Sequence, residues 1–157
     1  MISATGADLL YQTLKRSTKL QDEVLRLGGA DDVGNLLDEA LIAELRASGV
    51  KFTEADLMWI FKNNKDKIIF LEKGNTSSGF EHILRHKQEF IDAGISETDI
   101  SDFILQALKK NKIVGYQGSG NGRPIYELIY QGNKQRIAIT TGSNGYVVGA
   151  NMKSATK

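Results

Sequence analysis

Both histidines of this chain fall in one short stretch, Gly79-Phe80-Glu81-His82-Ile83-Leu84-Arg85-His86-Lys87. Imidazole is the side chain whose unperturbed pKa lets it give and take a proton near neutrality. On a helix, a spacing of four puts His82 and His86 on one face. Arg85, three residues after His82, stays near that face, and Lys87 follows directly. Two imidazoles beside cations suit acid/base work on an anion. Metal-free RNA cleavage needs little more. A base takes the 2′-hydroxyl proton, an acid protonates the leaving 5′-oxygen, and a cation or hydrogen-bond donors steady the charged transition state. The structural alternative is a histidine pair that caps or packs its helix. Zinc fits poorly. It needs a third protein ligand, and the zinc-protease pattern places Glu directly after the first His, where this chain has Ile83.

A second group of residues could meet the same substrate. The segment Ile139-Thr140-Thr141-Gly142-Ser143-Asn144-Gly145-Tyr146 offers hydroxyl and amide donors for phosphate oxygens and one aromatic ring for a base. Thr140, Asn144 and Tyr146 are its candidates. Arg123 follows the glycine-rich run Gly118-Ser119-Gly120-Asn121-Gly122. That run lacks the Lys-Ser or Lys-Thr of a nucleotide-binding loop and leads toward a strand, so it reads as a simple connection. Arg123 remains a candidate for the RNA backbone.

Charge points the same way. The net charge of +1 hides an asymmetry. From Phe103 to Lys157 there are eight basic residues and one acid, Glu127, giving +7. The remaining 12 basic and 18 acidic residues leave −6 for Met1 to Asp102. A basic half is a footprint for a polyanion, nucleic acid most simply, unless those cations only solvate a face or pair with the acidic half.

The elements that must position these groups follow from periodicity. With 157 residues there is material for one real core, or for a small domain with a helical appendage. No cysteine is present, which excludes disulfides and thiol chemistry. No apolar run approaches the roughly 20 residues of a membrane span. The mixed polar residues after Met1 do not suggest a signal peptide, and a soluble chain is expected. Apolar spacing predicts helices over residues 7–27, from Asp31 or Asp32 to Ser48, and from Glu54 to Lys62 with Thr53 as cap. Residues 67–71 suit a strand. A helix is expected over 80–93 and another after Ser96, whose spacing to Asp99 resembles a capping box. Its apolar positions are Ile100, Phe103, Ile104, Ala107 and Leu108. Four strands then follow, over 112–117, 125–130, 135–141 and 146–150, joined by short turns as an antiparallel meander. The class is α+β. No Asp or Glu cluster appears in the sheet to hold Mg²⁺, and no cofactor is expected.

The histidine stretch, the helix after it and four strands ending in Thr140-Thr141-Gly142-Ser143-Asn144-Gly145-Tyr146 resemble the barnase/EndoU/colicin/RelE-like (BECR) ribonuclease superfamily. The likeness is closest to toxin domains of bacterial contact-dependent growth inhibition and related polymorphic toxins, and it covers roughly residues 51–151. The resemblance implies a helical N-terminal region of the linker or delivery kind over residues 1–50 and a BECR-like nuclease domain over 51–157. It also implies a metal-independent ribonuclease, often acting on tRNA and neutralised by a cognate immunity protein. Such a toxin is secreted or delivered into the cytoplasm of a target bacterium, and some relatives need elongation factor Tu to present the tRNA. Carried over, His86, His82, Thr140 and Tyr146 would be catalytic. Arg85, Lys87, Arg123 and Asn144 would hold phosphate. The alternative from another class is a noncatalytic RNA-binding or interaction module, whose basic sheet docks a polyanion while the histidines are structural.

Overall fold

The computed structural model describes residues 36–118 and 122–154. Within them the chain is α+β, with one two-stranded and one four-stranded antiparallel sheet. The helix expected over 7–27 and the start of the second lie outside the described residues. That second helix is seen as α1, Glu39–Ala47, with Asp38 as its N-cap; the Asp38 carboxylate accepts from the N–H groups of Ala40 and Leu41.

The helix expected from Glu54 to Lys62 is not formed. A 3₁₀ turn over Glu54–Asp56 leads into strand β1, Leu57–Lys62, which pairs antiparallel with β2, Ile68–Glu72. The reason lies in the run Leu57-Met58-Trp59-Ile60-Phe61, apolar at every position and buried throughout. A surface helix buries one stripe, whereas a strand covered on both sides can bury every residue. Trp59, Phe61, Ile69 and Leu71 enter the main core. Leu57, Ile60 and Phe70 join Ile42 and Leu45 of α1 in a second cluster. Alternation along β2 therefore sets Phe70 and Glu72 on the α1 side.

The stretch from Phe80 is likewise broken where one helix was expected. It forms α2, Phe80–Ile83, a 3₁₀ turn over Leu84–His86, and α3, Lys87–Asp92. Two tertiary anchors override the local period. The Gly79 N–H donates to the Val148 carbonyl at 2.9 Å, and the Met152 N–H donates to Glu89 Oε1 at 3.2 Å. The segment is thus pinned to one strand at two points. The helix after Ser96 begins later than its capping pattern suggests: a 3₁₀ turn, Glu97–Asp99, precedes α4, Ile100–Lys110. The five apolar positions read from the sequence of α4 are all buried.

Four strands complete the fold in the order β3, Ile113–Gln117; β4, Arg123–Tyr130; β5, Asn133–Thr141; and β6, Val147–Lys153. Gln131 and Gly132, both at positive φ, make the two-residue turn between β4 and β5. Tyr126, Leu128, Tyr130, Ile137, Ile139 and Ala150 face the core with α2, α3 and α4. The other face carries Gln117, Arg123, Glu127, Arg136, Thr140, Gly149 and Asn151 by strand alternation and register. An isolated parallel bridge from Phe70 to Tyr146 ties β2 to the chain entering β6.

Candidate functional site

α2 opens at Gly79, whose φ is 85°. A Cβ there would come 2.7 Å from Tyr146 Oη and 2.9 Å from Gly74 Cα, so only glycine lets the helix start settle against β6. Three residues on, His82 Nδ1 lies 2.8 Å from the Thr76 carbonyl oxygen. That oxygen can only accept. Nδ1 therefore carries a hydrogen, and in the neutral ring this leaves the lone pair on Nε2, the atom a general base uses. His86 is held the same way, with Nδ1 3.0 Å from Glu89 Oε2. The other oxygen of Glu89 accepts from the Met152 N–H, so one carboxylate fixes both the imidazole and the strand edge. The two imidazole rings stand perpendicular, with centroids 6.2 Å apart. The shared helical face expected from their spacing is replaced by this edge-to-face arrangement across the 3₁₀ turn.

His82 reaches over Gly149 of β6. A Cβ at position 149 would lie 3.4 Å from His82 Cδ2 and 3.4 Å from Arg123 Nη2. The missing side chain is what lets imidazole and guanidinium approach across the sheet. Arg123 Nη1 donates to Asn151 Oδ1 at 2.8 Å, and Asn151 Nδ2 donates to Gln117 Oε1 at 2.8 Å. Among the described residues no carboxylate pairs with Arg123. Burial pulls its pKa below the ordinary arginine value. A half-buried guanidinium with neutral partners is a poised anion contact, because desolvating a cation without an anion is costly. Thr140 pairs with Gly149 in the β5–β6 register, so its half-buried side chain shares this strip.

The other candidates from the sequence have different surroundings. Arg85 is exposed. Lys87 is directed to Glu97, 3.6 Å away. Tyr146 sits on the far side of the loop between Gly74 and Gly79: its hydroxyl is 3.0 Å from Ser78 Oγ, and its ring packs edge-on to Phe70. Asn144 is exposed, and its Oδ1 accepts from the Tyr146 N–H at 3.1 Å. Tyr146 and Asn144 line an open cavity of about 680 Å³ with Phe52 and Glu72.

Thr76, Glu89, Gln117, Gly149 and Asn151 were not singled out from the sequence. Strand alternation alone could have placed Arg123, Thr140, Gly149 and Asn151 on one face, once the two hairpin registers were known. Thr76 acts through its backbone carbonyl, which leaves no pattern, whereas the i, i+3 spacing of His86 and Glu89 was there to be read. Among the described residues, no group of three or more His, Asp or Glu side chains is arranged to hold a metal ion. No helix there is long and apolar enough to cross a membrane. Comparison with protein-family models and with curated proteins finds no match to this chain.

Proposed function

We propose that this chain is a metal-independent endoribonuclease of the toxin type, acting on tRNA and held in check by a cognate immunity protein. The observation that carries this reading is the meeting, over Gly149, of the His82 imidazole and the Arg123 guanidinium, which pairs with no carboxylate among the described residues. A phosphate bound to Arg123 would lie beside His82, with His86 one ring further along. One Nε2 accepts the 2′-hydroxyl proton as that oxygen attacks phosphorus. The other imidazole, protonated, gives its proton to the departing 5′-oxygen. The products are a 2′,3′-cyclic phosphate and a 5′-hydroxyl. Arg123 and the Thr140 hydroxyl would receive the negative charge that grows on the phosphate oxygens, while Asn151, whose Oδ1 accepts from Arg123, holds the guanidinium in place.

The test is incubation of purified protein with total tRNA in EDTA, followed by a denaturing gel and analysis of the new ends. Discrete fragments ending in a cyclic phosphate are expected, and EDTA should leave their yield unchanged. Salt-sensitive binding to RNA that stays intact after long incubation would reduce the chain to a binding module. Expression without a neighbouring protective gene is expected to arrest bacterial growth, and co-expression of that gene to restore it.

A further inference from the structure

We infer that the cavity where the β1–β2 turn meets the start of α1 and the end of α4 is a second phosphate site, one that holds the backbone of a long RNA away from the point of cleavage. The inference rests on RNA being the ligand of the His82 site and adds a length requirement to it.

The cavity encloses about 320 Å³, and Lys62, Asn63, Asn64 and Lys109 line its polar side. Its chemistry is one-sided. Asn63 Oδ1 accepts from the N–H groups of Lys65 and Lys67, both at 2.9 Å, and so shapes the turn. Asn64 Oδ1 accepts from Asn111 Nδ2 at 3.4 Å, which ties the turn to the end of α4. With both amide oxygens taken, each asparagine has its NH₂ group left, a donor. The acids nearby are engaged. Asp38, also at the cavity, accepts from the N–H groups of Ala40 and Leu41. Glu44 holds Lys62 Nζ at 2.9 Å, and Asp66, the one acid of the turn, lies near that same lysine. Lys65 and Lys109 are exposed and pair with no carboxylate among the described residues. Lysines in the last turn of a helix answer its dipole, which accounts for Lys109 taken alone. It does not account for Lys65 on a hairpin, nor for two amides with only donors left beside it. Donors next to unpaired cations suit an oxyanion.

Backbone contacts join the cavity to the strip. Lys67 Nζ, from the same turn, donates to the Ser143 carbonyl at 2.7 Å. The Phe70 N–H of β2 donates to the Gly145 carbonyl at 2.9 Å. Ser143 follows Thr140 of the strip by three residues, at most about 11 Å of chain. An RNA strand seated in both places therefore has a set span between them. A dinucleotide fills the strip alone, whereas a tRNA reaches both. Phosphate contacts of this kind set register and affinity without reading sequence.

The experiment compares the native chain with the double variant Lys65→Gln, Lys109→Gln on two substrates, total tRNA and a dinucleoside monophosphate. KM for tRNA should rise about tenfold with kcat unchanged, and cleavage of the dinucleotide should stay as it was. The slope of log tRNA affinity against log salt should fall by about 2, one for each lysine. Removing the same charge from exposed positions elsewhere, with Lys51→Gln, Lys134→Gln, should leave KM for tRNA nearly unchanged. In a second readout, amide spectra of the native chain are followed as inorganic phosphate is added. The side-chain NH₂ signals of Asn63 and Asn64 should move, and the first double variant should abolish the movement. Equal losses in the two double variants, equal losses on the two substrates, or asparagine signals that stay still in phosphate overturn the site. Signals that move with polyglutamate and not with RNA also overturn it, and make the occupant an acidic protein. If tRNA is bound but left intact, the salt slope and the asparagine signals still decide the site, and only the nuclease reading falls. Cleavage of both substrates that ignores the first double variant removes the site and leaves the nuclease.

Discussion

The two ends of strand β4 present opposite electrostatic bargains on the same face of the sheet. Toward one end, Glu127 is nearly covered and holds two cations, Lys112 Nζ at 2.8 Å and Arg136 at 2.9 Å. At the other, Arg123 is half-buried and, among the described residues, donates to the Asn151 amide and pairs with no carboxylate. The first end is a closed account of charge: acid and bases answer one another, and nothing is left for a ligand. The second leaves a cation waiting for an anion, next to the His82 imidazole. In a region where the sequence is predominantly basic, position separates a structural cation from one available to an anion.

The sharpest way to break that contrast is to remove the imidazole. His82→Ala should lower the rate of tRNA cleavage by about 10³-fold, within the range for a general acid or base. Melting temperature should barely change, since His82 is half-buried and its hydrogen bond is to a loop carbonyl. Retained cleavage would move the chemistry away from the Gly149 strip altogether. Arg123→Gln comes next. It should slow cleavage by about 10²-fold, the usual cost of one oxyanion donor. It should also reduce the slope of log affinity against log salt by about 1. The matched control is Arg136→Gln, where cleavage should fall by less than tenfold because that guanidinium is already spent on Glu127. Equal losses at both arginines would erase the distinction between the two ends.

How much of this was legible beforehand depended on which force fixed each residue. The α4 stripe was readable because Ile100, Phe103, Ile104, Ala107 and Leu108 obey one period and sit against one core. The meander was readable from its turns. Residues 57–61 misled, since five consecutive apolar residues carry no period, and burial on both sides by two different clusters is a tertiary fact. The histidine helix misled for a related reason. Its pattern is helical, but β6 claims Gly79 and Glu89 at fixed points and the chain bends to reach them. At the site, the sequence offered residue types, and the sheet register chose among them. Arg123 and Thr140 come to the strip through pairing, whereas Arg85, next to the histidines in sequence, is exposed and Lys87 is directed to Glu97.

Tyr146 tests whether the strip depends on the loop beside it. Its hydroxyl meets Ser78, in the loop whose Thr76 carbonyl orients His82. Tyr146→Phe should cost about 0.5–1.5 kcal/mol of stability for the lost hydrogen bond. On the proposed mechanism, in which no proton passes through the phenol, cleavage should fall only severalfold, because the ring stays packed on Phe70. A loss as large as that of His82→Ala would make Tyr146 a proton donor and redraw the site.

The smallest effect is expected at the closed end, and it appears as a dependence on pH. The hydrogen bond from Lys112, then that from Arg136, hold the Glu127 carboxyl down to about 2, from an ordinary 4.5. A lowered folded-state pKa means that the pairing contributes fully above about pH 4.5 and is lost as pH falls through about 2. Urea melts of the native chain and of Glu127→Gln should therefore differ most above that window and converge at its lower edge. A stability difference that stays constant from pH 7 to pH 2 would show that Glu127 acts through packing and not through charge. At neutral pH the same variant releases Lys112 and Arg136 from their acid. Its affinity for RNA at low salt should then rise modestly, while the rate of cleavage by bound enzyme stays the same, because the freed cations lie at the end of β4 away from His82.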